Sequence, residues 1–173
     1  MCIRDRKNIS AIIEAFTQLA ASEDRLDIVG EGPERPHIEA VRLAMAPSVR
    51  ERVLLHGHLD FDALTHLYAE AHTLVLASTQ EVWGMVVNEA LACGLHAVVS
   101  DRCGVAASVC NMRGVHVTGT SSAELAGAMR MSREEWTGFI REPEIIRYSP
   151  RSSALDALRA CELAVQMKTG VGA

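Results

Sequence analysis

Apolar and polar positions follow two alternating periods along this chain. In "KNISAIIEAFTQLAAS" (residues 7–22), Ile9, Ile12, Ile13, Phe16, Leu19 and Ala20 recur at helical spacing. The next apolar stretch, "RLDIVG" (Arg25–Gly30), is too short for a helix and predicts a strand. A helix is then expected over Pro33–Met45, opened by Pro33 at its first position and closed by Pro47, which lacks a backbone donor and restricts the residue before it. "RVLLHG" (Arg52–Gly57) predicts a second strand, and Asp60 is placed to cap a helix over Phe61–Ala71.

The alternation continues through "TLVLAS" (Thr73–Ser78), a helix from about Gly84 to Cys93, "HAVVS" (His96–Ser100), a small helix near Ala106–Cys110 and "GVHVTG" (Gly114–Gly119). "SSAELAGAMRM" and "SSALDALRACELAVQM" predict closing helices. Nearly continuous apolar strands separated by helices imply a parallel sheet covered on both faces. The expected fold is a doubly wound, Rossmann-like α/β domain. Its ligands should meet loops at the carboxyl ends of the strands, here Gly30–Gly32, His56–His58, Ser78–Gly84 and Ser100–Gly104.

With 173 residues, 49% of them hydrophobic, the chain suffices for one domain with a core on each side of the sheet. A net charge of −5, with 17 basic and 22 acidic residues and no long run of either sign, gives no electrostatic footprint for nucleic acid. The five cysteines are irregularly spaced, which argues against a disulfide framework and for a cytoplasmic protein. No apolar run approaches the roughly 20 residues that span a bilayer. Peripheral attachment at the inner membrane face through a further segment stays compatible with this reading. Because "MCIRDR" is charged and non-periodic while an amphipathic helix follows at once, residues 1–6 are read as a truncated or non-native boundary and 7–173 as the domain.

Several groups carry candidate chemistry. Gly30-Glu31-Gly32-Pro33 starts like a dinucleotide fingerprint, but Arg35 takes the third glycine position and Leu55-His56 ends the next strand without an acidic residue. A tight turn is the simpler account. Cys93, His96, Cys103 and Cys110 lack the paired short spacings of a zinc site and read as small thiols and a strand histidine. His56 and His58 stand at strand spacing on one side, either solvated or beside a nucleotide base. Lys7 and Asn8, with Arg6 adjacent, precede a helix N-terminus that favours anions.

The stretch "EVWGMVVNEA" (Glu81–Ala90) is the most informative. A helix starting near Gly84 leaves the N–H groups of Gly84, Met85 and Val86 free for phosphate or sugar oxygens. Glu89, one turn on among Met85, Val86, Val87, Ala90 and Leu91, is expected to be buried and to need hydroxyl donors such as a ribose diol, or an arginine partner.

In order, "KNISAIIEAF", "LDIVGEGPER", "RVLLHGHL", "LYAEAHTLVLAS", "EVWGMVVNEALACGLHAVVS" and "CGVAASV" resemble the C-terminal, donor-binding half of a retaining GT-B glycosyltransferase of family four, over about residues 7–128. Glu81 and Glu89 match that family's E-x7-E motif. The resemblance implies transfer of a sugar from a nucleotide diphosphate to an acceptor (glycan, lipid or small molecule), without metal or other cofactor. It also implies an N-terminal acceptor domain beyond this chain, so that this polypeptide alone binds donor weakly and transfers nothing.

Residue by residue, the resemblance gives Glu81 the donor-sugar hydroxyls, Glu89 the ribose and Lys7 the pyrophosphate. Gly84, Met85 and Val86 would offer amides to the sugar and distal phosphate, and Leu59 with Asp60 would hold the base. The family's arginine shortly before the lysine has no match in "MCIRD", and His96 replaces a common proline. Two alternatives remain at this level: a degenerate nucleotide-sugar-binding module, and a sugar-nucleotide epimerase of the same fold.

Overall fold

The structure, a computed structural model, describes residues 5–19 and 23–148. A 3-10 turn at Asp5–Lys7 leads into α1 (Ile9–Leu19), whose apolar stripe buries Ile9, Ile12, Ile13, Ala15 and Phe16. The chain continues through β1 (Leu26–Val29), α2 (Arg35–Leu43), α3 (Pro47–Arg50), β2 (Val53–Gly57) and α4 (Phe61–Glu70). Then follow β3 (Thr73–Leu76), α5 (Met85–Ala92), β4 (His96–Ser100), α6 (Ala106–Val109), β5 (Val115–Thr118) and α7 (Ser122–Glu135).

Two prolines act differently from expectation. α2 begins at Arg35 behind Glu34, so Pro33 stands before the helix and Pro36 occupies its first turn. Pro47 does not close α2, which has already ended at Leu43; it opens α3, where its missing N–H is no loss. α7 runs past Met131 through the polar "SREE" because only one stripe needs burial, and Ser132 lies on that stripe. Its start is set by a capping box, with the Ser121 side chain accepting from the Glu124 N–H and Glu124 accepting from the Ser121 N–H. The expected closing helix "SSALDALRACELAVQM" lies outside the described residues.

All strand pairings are parallel: β1 with β2, and β3–β4–β5 in that order. The α/β alternation therefore holds, but the hydrogen bonding divides the expected single sheet between β1 and β3. The period of the strands sorts side chains onto two faces. Val75, Ala77 and Val98 join a core with α1, Ile38 of α2 and Leu125 of α7. Leu74, Leu76, Ala97 and Val99 face the opposite way, onto Val87 and Leu91 of α5 and Val109 of α6. β4 is buried along its whole length, which explains its unbroken apolar sequence. Each fully buried valine there contributes about 1.5–3 kcal/mol. These two packed faces hold the carboxyl-end loops of β3 and β4 against each other, where Glu81 bridges to Cys103.

Candidate functional site

The Asp5–Lys7 turn docks on the loop after β3. The Thr79 N–H donates to the Arg6 carbonyl at 2.8 Å, and the Lys7 ammonium donates to the Glu81 carboxylate. Asn8 leaves this turn with φ 57°, and its side-chain amide donates to the Thr120 carbonyl at 2.8 Å, which compensates an unusual backbone. Glu81 is itself fixed by its main chain, donating to the Arg102 carbonyl at 3.3 Å and accepting from the Gly104 N–H at 3.0 Å. This approach requires glycine, since a Cβ at position 104 would lie 2.0 Å from the Val82 carbonyl oxygen. Lys7 and Glu81 keep only 13% and 19% of their side-chain surface exposed, so each depends on the other for charge compensation.

Gly84 stands beside this pair at the start of α5, with φ 101° and a Cβ position 3.6 Å from Glu81 Cγ and 2.8 Å from Leu76 Cδ2. Val87 N–H bonds back to the Gly84 carbonyl at 2.9 Å. Among the described residues, the amides of Gly84, Met85 and Val86 have no backbone acceptor, so the helix start presents three donors next to Glu81. The loop before it carries Val82 and Trp83, 92% and 42% exposed.

Glu89 departs from expectation: it is exposed, not buried. α5 buries only Val87, Ala90 and Leu91, while Met85 is exposed four positions before Glu89 on the same helix face. Sequence alone overestimated the burial because apolar residues occupy the solvent side of this helix too. The Tyr68 hydroxyl of α4 donates to Glu89 at 3.4 Å. Burial first, and the Glu89 carboxylate second, push the Tyr68 phenol up to about 12. The same two causes, in the same order, raise the Cys93 thiol.

Asp60 caps α4 as expected, accepting from the Ala63 N–H at 2.8 Å, and Leu59 is half-buried. Among the described residues, no hydrogen bond or ion pair joins either to Lys7, Glu81 or Glu89. His56 bonds to Asp27 at 2.7 Å, and Gly57 takes φ 71°, ending the strand alternation that would hold His56 and His58 on one side. Asp27 was not anticipated as a partner, because its pairing crosses between β1 and β2 and leaves no periodic trace. The Gly30–Gly32 segment behaves as a tight turn, with Gly30 N–H bonded to the Gly57 carbonyl at 2.7 Å and Glu31 paired to Arg35 at 2.5 Å.

Cys93 and Cys110 are exposed and Cys103 is buried beside Glu81. Among the described residues, no three His, Cys, Asp or Glu side chains group to hold a metal ion. Burial, followed by the Glu81 charge, raises the Cys103 thiol. His96 is buried at the start of β4, with Nδ1 3.3 Å from Ser132 Oγ and its ring edge-on to Trp136 at 5.0 Å. The site therefore unites Lys7, Glu81, Gly84 and the amides of Met85 and Val86, with the Glu89–Tyr68 pair one turn along α5.

Known proteins carry related sequences and folds. Residues 1–134 match the family described as glycosyl transferases group 1. An uncharacterized glycosyltransferase of Methanocaldococcus jannaschii is 33% identical over 96 residues, covering 55% of this chain and 24% of that relative. The sucrose-phosphate synthase of Thermosynechococcus elongatus superposes with a TM-score of 0.73 at 24% identity, covering 96% of this chain and 44% of the other. Anabaena HepE, solved in complex with UDP and glucose, superposes with a TM-score of 0.67 at 21% identity, over 78% of this chain and 37% of the other. At these identities the two structures speak for the fold. The chain spans about a quarter of the curated relative's length.

Proposed function

The chain belongs to the glycosyl transferases of group 1, and from that membership we propose that it is the donor-binding, C-terminal half of a retaining GT-B enzyme that moves a sugar from a nucleotide diphosphate to an acceptor. The observation that carries this reading is the convergence of Lys7, Glu81 and the Gly84 helix start at one strand edge. UDP and glucose in the HepE complex support a nucleotide sugar as the ligand class.

The chemistry follows from where charge develops. Cleavage of the sugar–phosphate bond leaves negative charge on the departing diphosphate, and fixed donors aimed there lower the barrier. Lys7 and the amides of Met85 and Val86 are those donors, and one such group is worth roughly 3 to 4 kcal/mol by analogy with oxyanion-hole deletions. When a diphosphate engages Lys7, the Glu81 carboxylate turns to the donor-sugar hydroxyls. Glu89, open to solvent and already accepting from a hydroxyl, takes the ribose diol in place of Tyr68. Leu59 and Asp60 hold the base.

No metal or other cofactor enters this mechanism. The acceptor side belongs to an N-terminal domain beyond this chain, and the 173-residue chain alone binds donor without transfer. The protein works in the cytoplasm, either free or peripheral at the inner membrane face.

A thermal-shift and calorimetric screen of nucleoside diphosphates and their sugars tests the assignment. Uridine or guanosine diphosphate is expected to raise the Tm, and Glu89→Ala to remove that shift while leaving the unliganded Tm in place. A folded chain indifferent to every nucleotide would overturn the reading.

A further inference from the structure

The Tyr68 hydroxyl, in the last turn of α4, crosses to α5 and donates to Glu89 Oε2 at 3.4 Å. The two residues differ in setting: Tyr68 is half-buried and Glu89 exposed. Among the described residues, Glu89 pairs with no Lys, Arg or His. The carboxylate is thus engaged by one neutral hydroxyl, the same chemical group that a ribose brings.

We propose that Tyr68 is a specificity-determining residue of the donor site: its hydroxyl stands in for one ribose hydroxyl on Glu89, so that a complete ribose diol evicts it and a deoxyribose does not. This inference rests on the assignment of Glu89 to the ribose.

The exchange is like for like. A carboxylate accepts through two oxygens, and a ribose diol donates to both. Tyr68 holds Oε2 in the free protein, so the diol displaces it. A nucleotide with a single hydroxyl bonds the other oxygen and leaves Tyr68 in place. The phenol is a constant donor, because burial and then the Glu89 charge push it up to about 12, far from losing its proton near neutrality. At 3.4 Å its bond is long and therefore weak, so it tunes the site without closing it. The exposure of Glu89 leaves water at hand for the released hydroxyl. Neither helix has to move, since α5 is anchored through Val87, Ala90 and Leu91.

Two consequences separate in a double comparison of residue and sugar. Binding a diol costs the Tyr68 bond, whereas binding a deoxyribose costs nothing of the kind. Loss of the Tyr68 hydroxyl therefore strengthens the diol complex alone. The same exchange runs in reverse when the spent diphosphate leaves, with Tyr68 returning to Glu89 as the ribose departs.

Calorimetry on the 173-residue chain tests this with uridine and guanosine diphosphates and their 2′-deoxy forms, in wild type, Tyr68→Phe and Glu89→Ala. Tyr68→Phe is expected to bind the ribonucleotide about 2- to 10-fold more tightly. Its affinity for the deoxy form stays unchanged, so the preference for ribose grows by the same factor.

A second readout leaves Tyr68 intact and decides the matter if Tyr68→Phe folds poorly. With carbon-13 in the tyrosine rings, the Cζ signal of Tyr68 shifts at saturating ribonucleotide and holds its place with the deoxy form. Tyr148, the other tyrosine, is the internal reference. A Tyr68 signal that ignores the ribonucleotide overturns the proposal. If Glu89→Ala abolishes binding while Tyr68→Phe alters neither affinity nor preference, this inference fails and the donor-site reading stands. Binding untouched by Glu89→Ala, or silence of all four nucleotides, overturns both. Equal weakening of both sugars by Tyr68→Phe would make Tyr68 a support for Glu89 in place of its occupant, and also overturns the proposal.

Discussion

Lys7 and Glu81, 74 positions apart in sequence, meet in an ion pair at the carboxyl edge of β3, each supplying the charge the other lacks. Lys7→Ala removes the cation and leaves a largely covered carboxylate beside the proposed phosphate position. A charged hydrogen bond is worth about 1.5–3 kcal/mol, so calorimetry should show nucleoside diphosphate affinity falling by about 10- to 100-fold. Glu81→Gln is expected to do the opposite for the bare diphosphate, retaining or tightening its binding because Lys7 is released. The preference for the sugar-bearing donor is the property that should disappear.

Gly84 combines φ 101° with a Cβ direction 2.8 Å from Leu76 Cδ2. Gly84→Ala therefore meets both left-handed strain, about 1–2 kcal/mol, and a packing clash in the core around Leu76. Urea titration should place the loss above about 1 kcal/mol, with the m-value unchanged if the variant still unfolds in one step.

Asp60 separates capping from ligand contact. Asp60→Ala should cost about 0.5–2 kcal/mol through loss of its bond from Ala63 N–H, whereas Asp60→Asn keeps a capping oxygen and nearly all of the stability. If Asp60 also holds the base, the Asn variant will weaken nucleotide binding at wild-type Tm.

His96 predicts a pH dependence. Burial, partly opposed by the Ser132 contact, holds its imidazole below the ordinary histidine range. The unfolded chain therefore binds this proton first as pH falls. The contribution is intact above the unfolded pKa and declines below it. Urea unfolding at pH about 8 and about 5, compared with His96→Gln, should show a smaller acid loss in the variant than in the wild type. An equal loss in both would place the acid sensitivity at other groups.

What the sequence made legible was mainly local. Asp60 before an amphipathic run announced its helix correctly, and the all-apolar "HAVVS" reads as the buried β4 that it is. Pro47 misled because a proline that cannot continue one helix is equally suited to opening the next. Glu89 was misjudged for a related reason: apolar neighbours set no limit on exposure when only one stripe of α5 finds a packing partner. Family resemblance assigned Lys7 and Glu81 to two parts of one donor, whereas their ion pair with each other was not anticipated. Asp27 with His56, His96 with Ser132 and the division between β1 and β3 are products of distant chain segments meeting, which no window of sequence reports.

The setting of Trp136 gives the molecule its own optical gauge. Its indole stacks on His72 at 4.9 Å and meets the edge of His96 at 5.0 Å, whereas the other tryptophan, Trp83, stands in the exposed loop before Gly84. Imidazolium quenches indole emission, so Trp136 dims as His96 takes up a proton, while the redder emission of Trp83 follows events around Glu81. Two single-tryptophan variants, Trp83→Phe and Trp136→Phe, split one fluorescence signal into a reading of the interior and a reading of the site.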